Sequence, residues 1–105
     1  MAKDEVLDTN ILMSGQIGTT TILNAIEYPK ALEGANRFLL PTRKDYLLSI
    51  EIASILLRQG KPLPAIDLVV AAMCLNRRMA LRTRDAHFKL IQELYPGFDL
   101  RLATK

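Results

Sequence analysis

Apolar residues fall in short runs broken by polar or turn-forming residues, and the period of the pattern changes along the chain. Glu5 to Asn10 starts as an apolar, strand-like stretch and ends on Asp8-Thr9-Asn10, which predicts a strand with a polar tip. Thr19 to Leu23 is rich in β-branched residues and predicts a second strand. Asn24 then predicts a helix N-cap, with Glu27 in the capping-box position three residues on. Pro29 is tolerated only near the first turn of that helix, and Gly34 can end it. Arg37 to Leu40 predicts a short strand or an extended connection. From Thr42 the period becomes helical: Thr42 is the N-cap, Asp45 follows three residues later, and Tyr46, Ile50, Ala53 and Leu57 line one face. Gly60 stops this helix ahead of Pro62 and Pro64. The next helix, Pro64 to about Arg77, is apolar nearly all round and contains the unbroken run Leu68 to Leu75, so it is buried. A strand over Met79 to Thr83, a short helix over Ala86 to Leu94 stopped by Pro96-Gly97, and a strand over Phe98 to Leu102 complete the pattern.

Strands alternating with helices predict an α/β fold with a mainly parallel sheet. A chain of 105 residues predicts one domain, 1–105. With half of its residues hydrophobic it is expected to fold, and no apolar run approaches the length of a membrane span. The polar N-terminus has no secretory pattern, and a single cysteine suits a reducing cytoplasm. The charge balance, 14 basic against 11 acidic residues, does not by itself announce a nucleic-acid binder. Its distribution is more informative, with Arg77, Arg78, Arg82 and Arg84 close together and Arg43-Lys44 a second basic group.

In parallel sheets, sites form beyond the carboxyl ends of the strands. Asp8 lies at the end of the first strand and Asp85 just past the strand ending at Thr83. Glu27 is expected in the first turn after the second strand, and Asp67 in the first turn of the buried helix. Each has an ordinary role available, as a cap, a turn residue or dipole compensation. Those roles do not account for four acids at one sheet edge. Crowded carboxylates repel and raise each other's pKa. A hard divalent ion with oxygen ligands removes the conflict, and paired ions of this type support phosphodiester displacement. The lone His87 and Cys74 are not at zinc-ligand spacing; Cys74 reads as a core residue and His87 as a surface or packing residue.

Four stretches, in order, resemble the PIN-domain ribonucleases. Val6-Leu7-Asp8-Thr9-Asn10-Ile11-Leu12 is similar to that family's opening strand, and Thr20 to Ala31, with Glu27-Tyr28-Pro29, to the segment bearing its second acid. Pro64-Ala65-Ile66-Asp67-Leu68-Val69-Val70-Ala71-Ala72 resembles its central helix, and Leu81-Arg82-Thr83-Arg84-Asp85-Ala86-His87-Phe88 its last acidic motif. The resemblance spans most of residues 5–103 and is closest to the small VapC-type toxins. It implies a three-layer PIN-like α/β fold, a mainly parallel central sheet flanked by helices, and a Mg²⁺- or Mn²⁺-dependent endoribonuclease. Asp8, Glu27, Asp67 and Asp85 would form the metal pocket, with Asn10 and Thr83 supporting it. The same resemblance implies an RNA substrate, a small antitoxin partner and a homodimer. Arg43, Lys44, Arg82 and Arg84 are the candidates for phosphate contacts.

The chain departs from that family between the first two strands, where it normally carries one or two helices. Here only residues 13–22 separate Leu12 from Leu23. Parallel neighbours need a crossover of about a dozen residues, and a bare sheet face exposes an apolar patch, so the reading favours additional chain at this point over a real deletion. If the deletion is real, the alternative function is a catalytically weak PIN-like module for RNA binding, protein binding or dimerisation. A receiver-type phosphorylation domain fits poorly, since it needs paired acids after the first strand and a lysine after the last.

Overall fold

The computed structural model describes residues 4–104. Five strands are observed: β1 (Glu5–Leu7), β2 (Thr19–Thr21), β3 (Arg37–Leu39), β4 (Ala80–Thr83) and β5 (Leu100–Leu102). Five α-helices alternate with them: α1 (Thr9–Met13), α2 (Ile22–Glu27), α3 (Arg43–Arg58), α4 (Ala65–Arg77) and α5 (Lys89–Leu94). Two 3₁₀ helices, Pro29–Glu33 and Ala86–Phe88, complete the elements.

Every strand pairing is parallel. β4 lies between β1 and β5, and β2 pairs with β3 in a separate ribbon. The ribbon adjoins the three-stranded sheet at β1, where the Thr20 hydroxyl donates to the Leu7 carbonyl at 2.6 Å. Side chains on a strand alternate between faces, and the core divides accordingly. Val6 and Leu81 join Ile52, Leu56, Val70, Ala71, Phe88 and Ile91 in the larger cluster. Leu7, its neighbour, packs with Ile11, Leu12 and Ala31 in a smaller one. Helices therefore cover the sheet from both sides, the arrangement predicted.

Most boundaries agree with the apolar pattern, but the first strand stops at Leu7 and the helix α1 takes up Thr9 and Asn10, and details around α2 differ as well. The second strand ends at Thr21, not Leu23, and Thr21 is the N-cap of α2: its hydroxyl accepts from the Asn24 N–H at 3.2 Å. Asn24 and Glu27 are therefore not a capping pair, and Glu27 ends α2 instead of opening it. Pro29 opens a separate 3₁₀ helix, as its fixed φ allows.

The α3 face also differs. The predicted stripe Tyr46, Ile50 and Leu57 is largely exposed, whereas Asp45, Ser49, Ile52 and Leu56, one residue back, are buried. Asp45 and Ser49 can be buried because both are fully partnered. The Arg77 guanidinium donates to both Asp45 carboxylate oxygens at 3.0 Å, Asn76 Nδ2 donates at 2.8 Å, and the Thr42 N–H donates at 2.7 Å. Burial pushes the Asp45 carboxyl up, but hydrogen bonds from Arg77 and Asn76 outweigh it and hold it below its usual value. Gly60, at φ +70°, closes α3 as expected: the Lys61 N–H reaches the Leu56 carbonyl and the Gly60 N–H the Leu57 carbonyl.

From α1 the chain runs through residues 14–18 into β2. Strands of three residues are only about 10 Å long, so the five residues of α1 and the link that follows suffice for the return. Gly15, at φ +99°, turns the chain out of α1. Gly18 lies so close to β1 that a Cβ there would meet Leu7 Cδ1 at 3.1 Å. The short link leaves Met13, Ile17, Ile26 and Leu32 exposed.

Candidate active site

Asp8 follows β1 directly and caps α1, its carboxylate accepting from the Thr9 N–H at 2.9 Å. The side chain is almost fully buried and is held by three further donors. Thr83 Oγ1 donates to Oδ2 at 2.7 Å, Asn10 Nδ2 approaches Oδ2 at 3.4 Å, and Asn24 Nδ2 donates to Oδ1 at 3.0 Å. Thr83 and Asn10 act together, since Asn10 Nδ2 also reaches Thr83 Oγ1 at 3.2 Å. Asn10 Oδ1 accepts the Arg84 N–H at 3.0 Å, and Thr83 Oγ1 accepts the Asp85 N–H at 3.0 Å. This small network pins the end of β4 to the start of α1.

Asp8, Glu27, Asp67 and Asp85 all line one cleft of about 420 Å³, together with Thr9, Asn10 and Met13. Thr9 Oγ1 donates to Glu27 Oε1 at 2.9 Å, which ties the end of α2 to the cleft although Glu27 stands one turn later than expected. Asp85 caps the 3₁₀ helix that follows β4 and accepts from the His87 N–H at 2.9 Å. The His87 ring stands at the same carboxylate, Nδ1 to Oδ1 2.8 Å. His87 is thus an exposed residue in contact with a cleft acid, not a packing residue.

Asp67, in the first turn of α4, is pushed up to about 6, first by burial and then by the negative charges of Asp8, Asp85 and Glu27. The four carboxylates therefore act on one another. Their oxygens suit a hard divalent ion that retains part of its water. Among the described residues no three acidic, histidine or cysteine side chains form a ready-made metal cage, so coordination here would rely partly on water.

The basic residues divide differently from the sequence expectation. Arg84 stands at the cleft edge, its backbone bonded to Asn10, and its side chain is exposed. Arg82 does not line the cleft: its guanidinium donates to Glu5 Oε1 at 2.9 Å, and Arg101 donates to Glu5 Oε2 at 3.0 Å. Arg43 and Lys44 are exposed on the first turn of α3, next to the Asp45 that binds Arg77 at the end of α4. Asp67 is at the other end of α4, roughly 15 Å away at 1.5 Å per residue.

Asn24 is the residue that the sequence reading missed. It was read as a cap, yet its side chain is fully buried and bonded to Asp8. Its place one turn before Glu27 would have shown it only if Thr21 had been recognised as the cap.

No family model matches the chain, and no curated protein does. Solved structures do. The chain is similar to one in VapBC-5, of the VapBC family of toxin–antitoxin systems, from Mycobacterium tuberculosis: TM-score 0.77, 16% identity, covering 96% of this chain and 99% of that one. For VapBC-1 from nontypeable Haemophilus influenzae the values are 0.76, 19%, 96% and 98%. For VapBC2 from Rickettsia felis, bound to a DNA fragment from their promoter, they are 0.74, 13%, 95% and 98%. At such identities the likeness is one of fold, and it extends over nearly the whole chain: a parallel α/β fold of the PIN type, shared with VapBC toxin–antitoxin structures.

Proposed function

We propose that the protein is a Mg²⁺- or Mn²⁺-dependent endoribonuclease and the toxin of a cytoplasmic toxin–antitoxin pair. The observation that carries this reading is the convergence of four carboxylates on one cleft beyond the carboxyl ends of β1 and β4. The fold shared with VapBC structures supports the toxin role and a small antitoxin partner.

Asp8, Glu27, Asp67 and Asp85 are the residues that would hold the cation. When bound, such an ion lowers the pKa of a water and offsets charge on the leaving oxygen of a phosphodiester. The chain supplies the rest. Thr83 and Asn10 fix the Asp8 carboxylate, and Thr9 orients Glu27. Asp67, which lines the same cleft, is placed to orient the attacking water. His87 steadies Asp85. Arg84 is the basic side chain best placed for a phosphate. A single-stranded or looped RNA suits a recessed cleft, because its backbone is free to bend into it.

A second reading, a catalytically weak PIN-like binding module, is favoured by one observation: the residue in direct contact with Asp8 from α2 is an amide, not an acid. Incubation with an end-labelled single-stranded RNA separates the two. The nuclease reading predicts internal cuts in Mg²⁺ or Mn²⁺ that stop in EDTA. RNA retained uncut in either ion, with the fold intact, supports the binding module instead.

A further inference from the structure

Asn24 is buried at 0% exposure, and every polar atom of its side chain is engaged. The Thr21 hydroxyl donates to Oδ1 at 2.6 Å, which fixes the orientation of the amide. Its two N–H groups then point to Asp8 Oδ1 and Thr9 Oγ1, both at 3.0 Å. Thr9 in turn donates its own proton to Glu27. A carboxylate is an acceptor only, and an amide nitrogen a donor only, so no other orientation satisfies this chain of bonds. One side chain thereby sets an acid from β1 and an acid from α2.

We infer that Asn24 is a positioning residue for the cation-binding cleft, fixing Asp8 directly and Glu27 through Thr9. This rests on the divalent-cation reading above. A neutral donor at this point fixes the Asp8 carboxylate without adding a fifth charge to a cleft lined by four carboxylates. Outer partners of metal-binding side chains typically contribute 10- to 100-fold to affinity.

Two substitutions separate positioning from simple packing. In Asn24→Asp an acceptor-only oxygen replaces the donor 3.0 Å from Asp8. The two carboxylates must then share a proton or a cation, so the melting temperature in EDTA should fall. Both donors, to Asp8 and to Thr9, are lost with the amide, so Mn²⁺ should bind about tenfold more weakly in spite of the added charge. In Thr9→Val the branch to Glu27 is removed and one Asn24 N–H loses its acceptor; Mn²⁺ affinity should fall about tenfold, with a modest fall in melting temperature. Thr9 is partly exposed and keeps its shape as Val, so this variant remains informative if Asn24→Asp does not fold.

The measurement is Mn²⁺ titration by calorimetry, with melting in EDTA and in Mn²⁺, on the full chain. Weaker binding in both variants supports the assignment; if Asn24→Asp does not fold, the loss in Thr9→Val decides it alone. Wild-type protein that binds Mn²⁺, with affinity unchanged or raised in every variant that folds, overturns it and leaves the cation reading standing. Wild-type protein that binds no Mn²⁺ ends both.

Discussion

At the scale of single residues, charge and hydrogen bonding pull the cleft in opposite directions. Asp67 has no hydrogen-bonding partner among the described residues, and its carboxyl titrates at about 6 against an ordinary 3.8. The folded state thus favours the protonated form. That contribution is complete below about pH 3.8 and is lost as pH rises through 6. Asp67→Asn should therefore melt higher than the wild type in EDTA at pH 7, and the difference should vanish on acidification to pH 4. A constant difference across that range, followed by calorimetry, would show that burial and neighbouring charge do not control this group. Asp8 is the opposite case. Charge repulsion alone makes Asp8→Asn neutral or stabilising, but four donors face the Asp8 carboxylate. An amide there sets donor against donor, so this variant should lose about 1–3 kcal/mol. Asp8, Asp67 and Asp85 were legible in the sequence, because strand ends and helix starts locate them without coordinates, whereas Glu27 closes α2 and stands one turn later than the pattern predicts. Asn24 was not, since a buried amide leaves no signature in composition or period.

At the scale of elements, α3 shows where apolar periodicity misleads. Its most apolar stripe, through Tyr46, Ile50 and Leu57, faces outward because the buried face is anchored by polar groups, Asp45 and Ser49. A pattern based on apolar residues alone assigns such positions to solvent. The pair Asp45–Arg77 joins the start of α3 to the end of α4 across the core. Replacing Arg77 with Leu leaves an almost fully buried carboxylate without its counter-ion, a loss of about 3–5 kcal/mol. The double variant Asp45→Leu/Arg77→Leu should recover most of it, because the uncompensated charge is then gone. Denaturant unfolding of both variants checks this; a double variant as unstable as the single one would mean that the pair fixes geometry more than it balances charge. In the link between β1 and β2, α1 begins directly after Asp8 and forms part of the crossover.

At the scale of the whole molecule, the fold class and order of elements follow from the alternation of strands and helices, while the surface does not. Tyr46, Leu47, Ile50 and Leu57 leave an apolar face on α3, which borders a shallow groove lined by Ala53, Ala65, Leu68 and Val69. Contiguous exposed apolar surface marks an interface, and a two-fold dimer is the commonest closed assembly. We propose that this face pairs two copies. Ile50→Asp, at a position 65% exposed, should leave the fold intact and convert a dimer to a monomer in light scattering at micromolar concentration. A wild-type monomer at that concentration would contradict this pairing.

The central claim is that the acid cleft cuts RNA with a divalent cation, and Asp67→Asn tests it most directly because it separates activity from stability. The protein and this variant are compared on one single-stranded RNA at pH 7.5 in Mg²⁺, with melting recorded in EDTA. The account predicts a variant that melts at or above the wild-type temperature yet cuts no faster than the wild type in EDTA. Cleavage at the wild-type rate by a folded Asp67→Asn protein would contradict it.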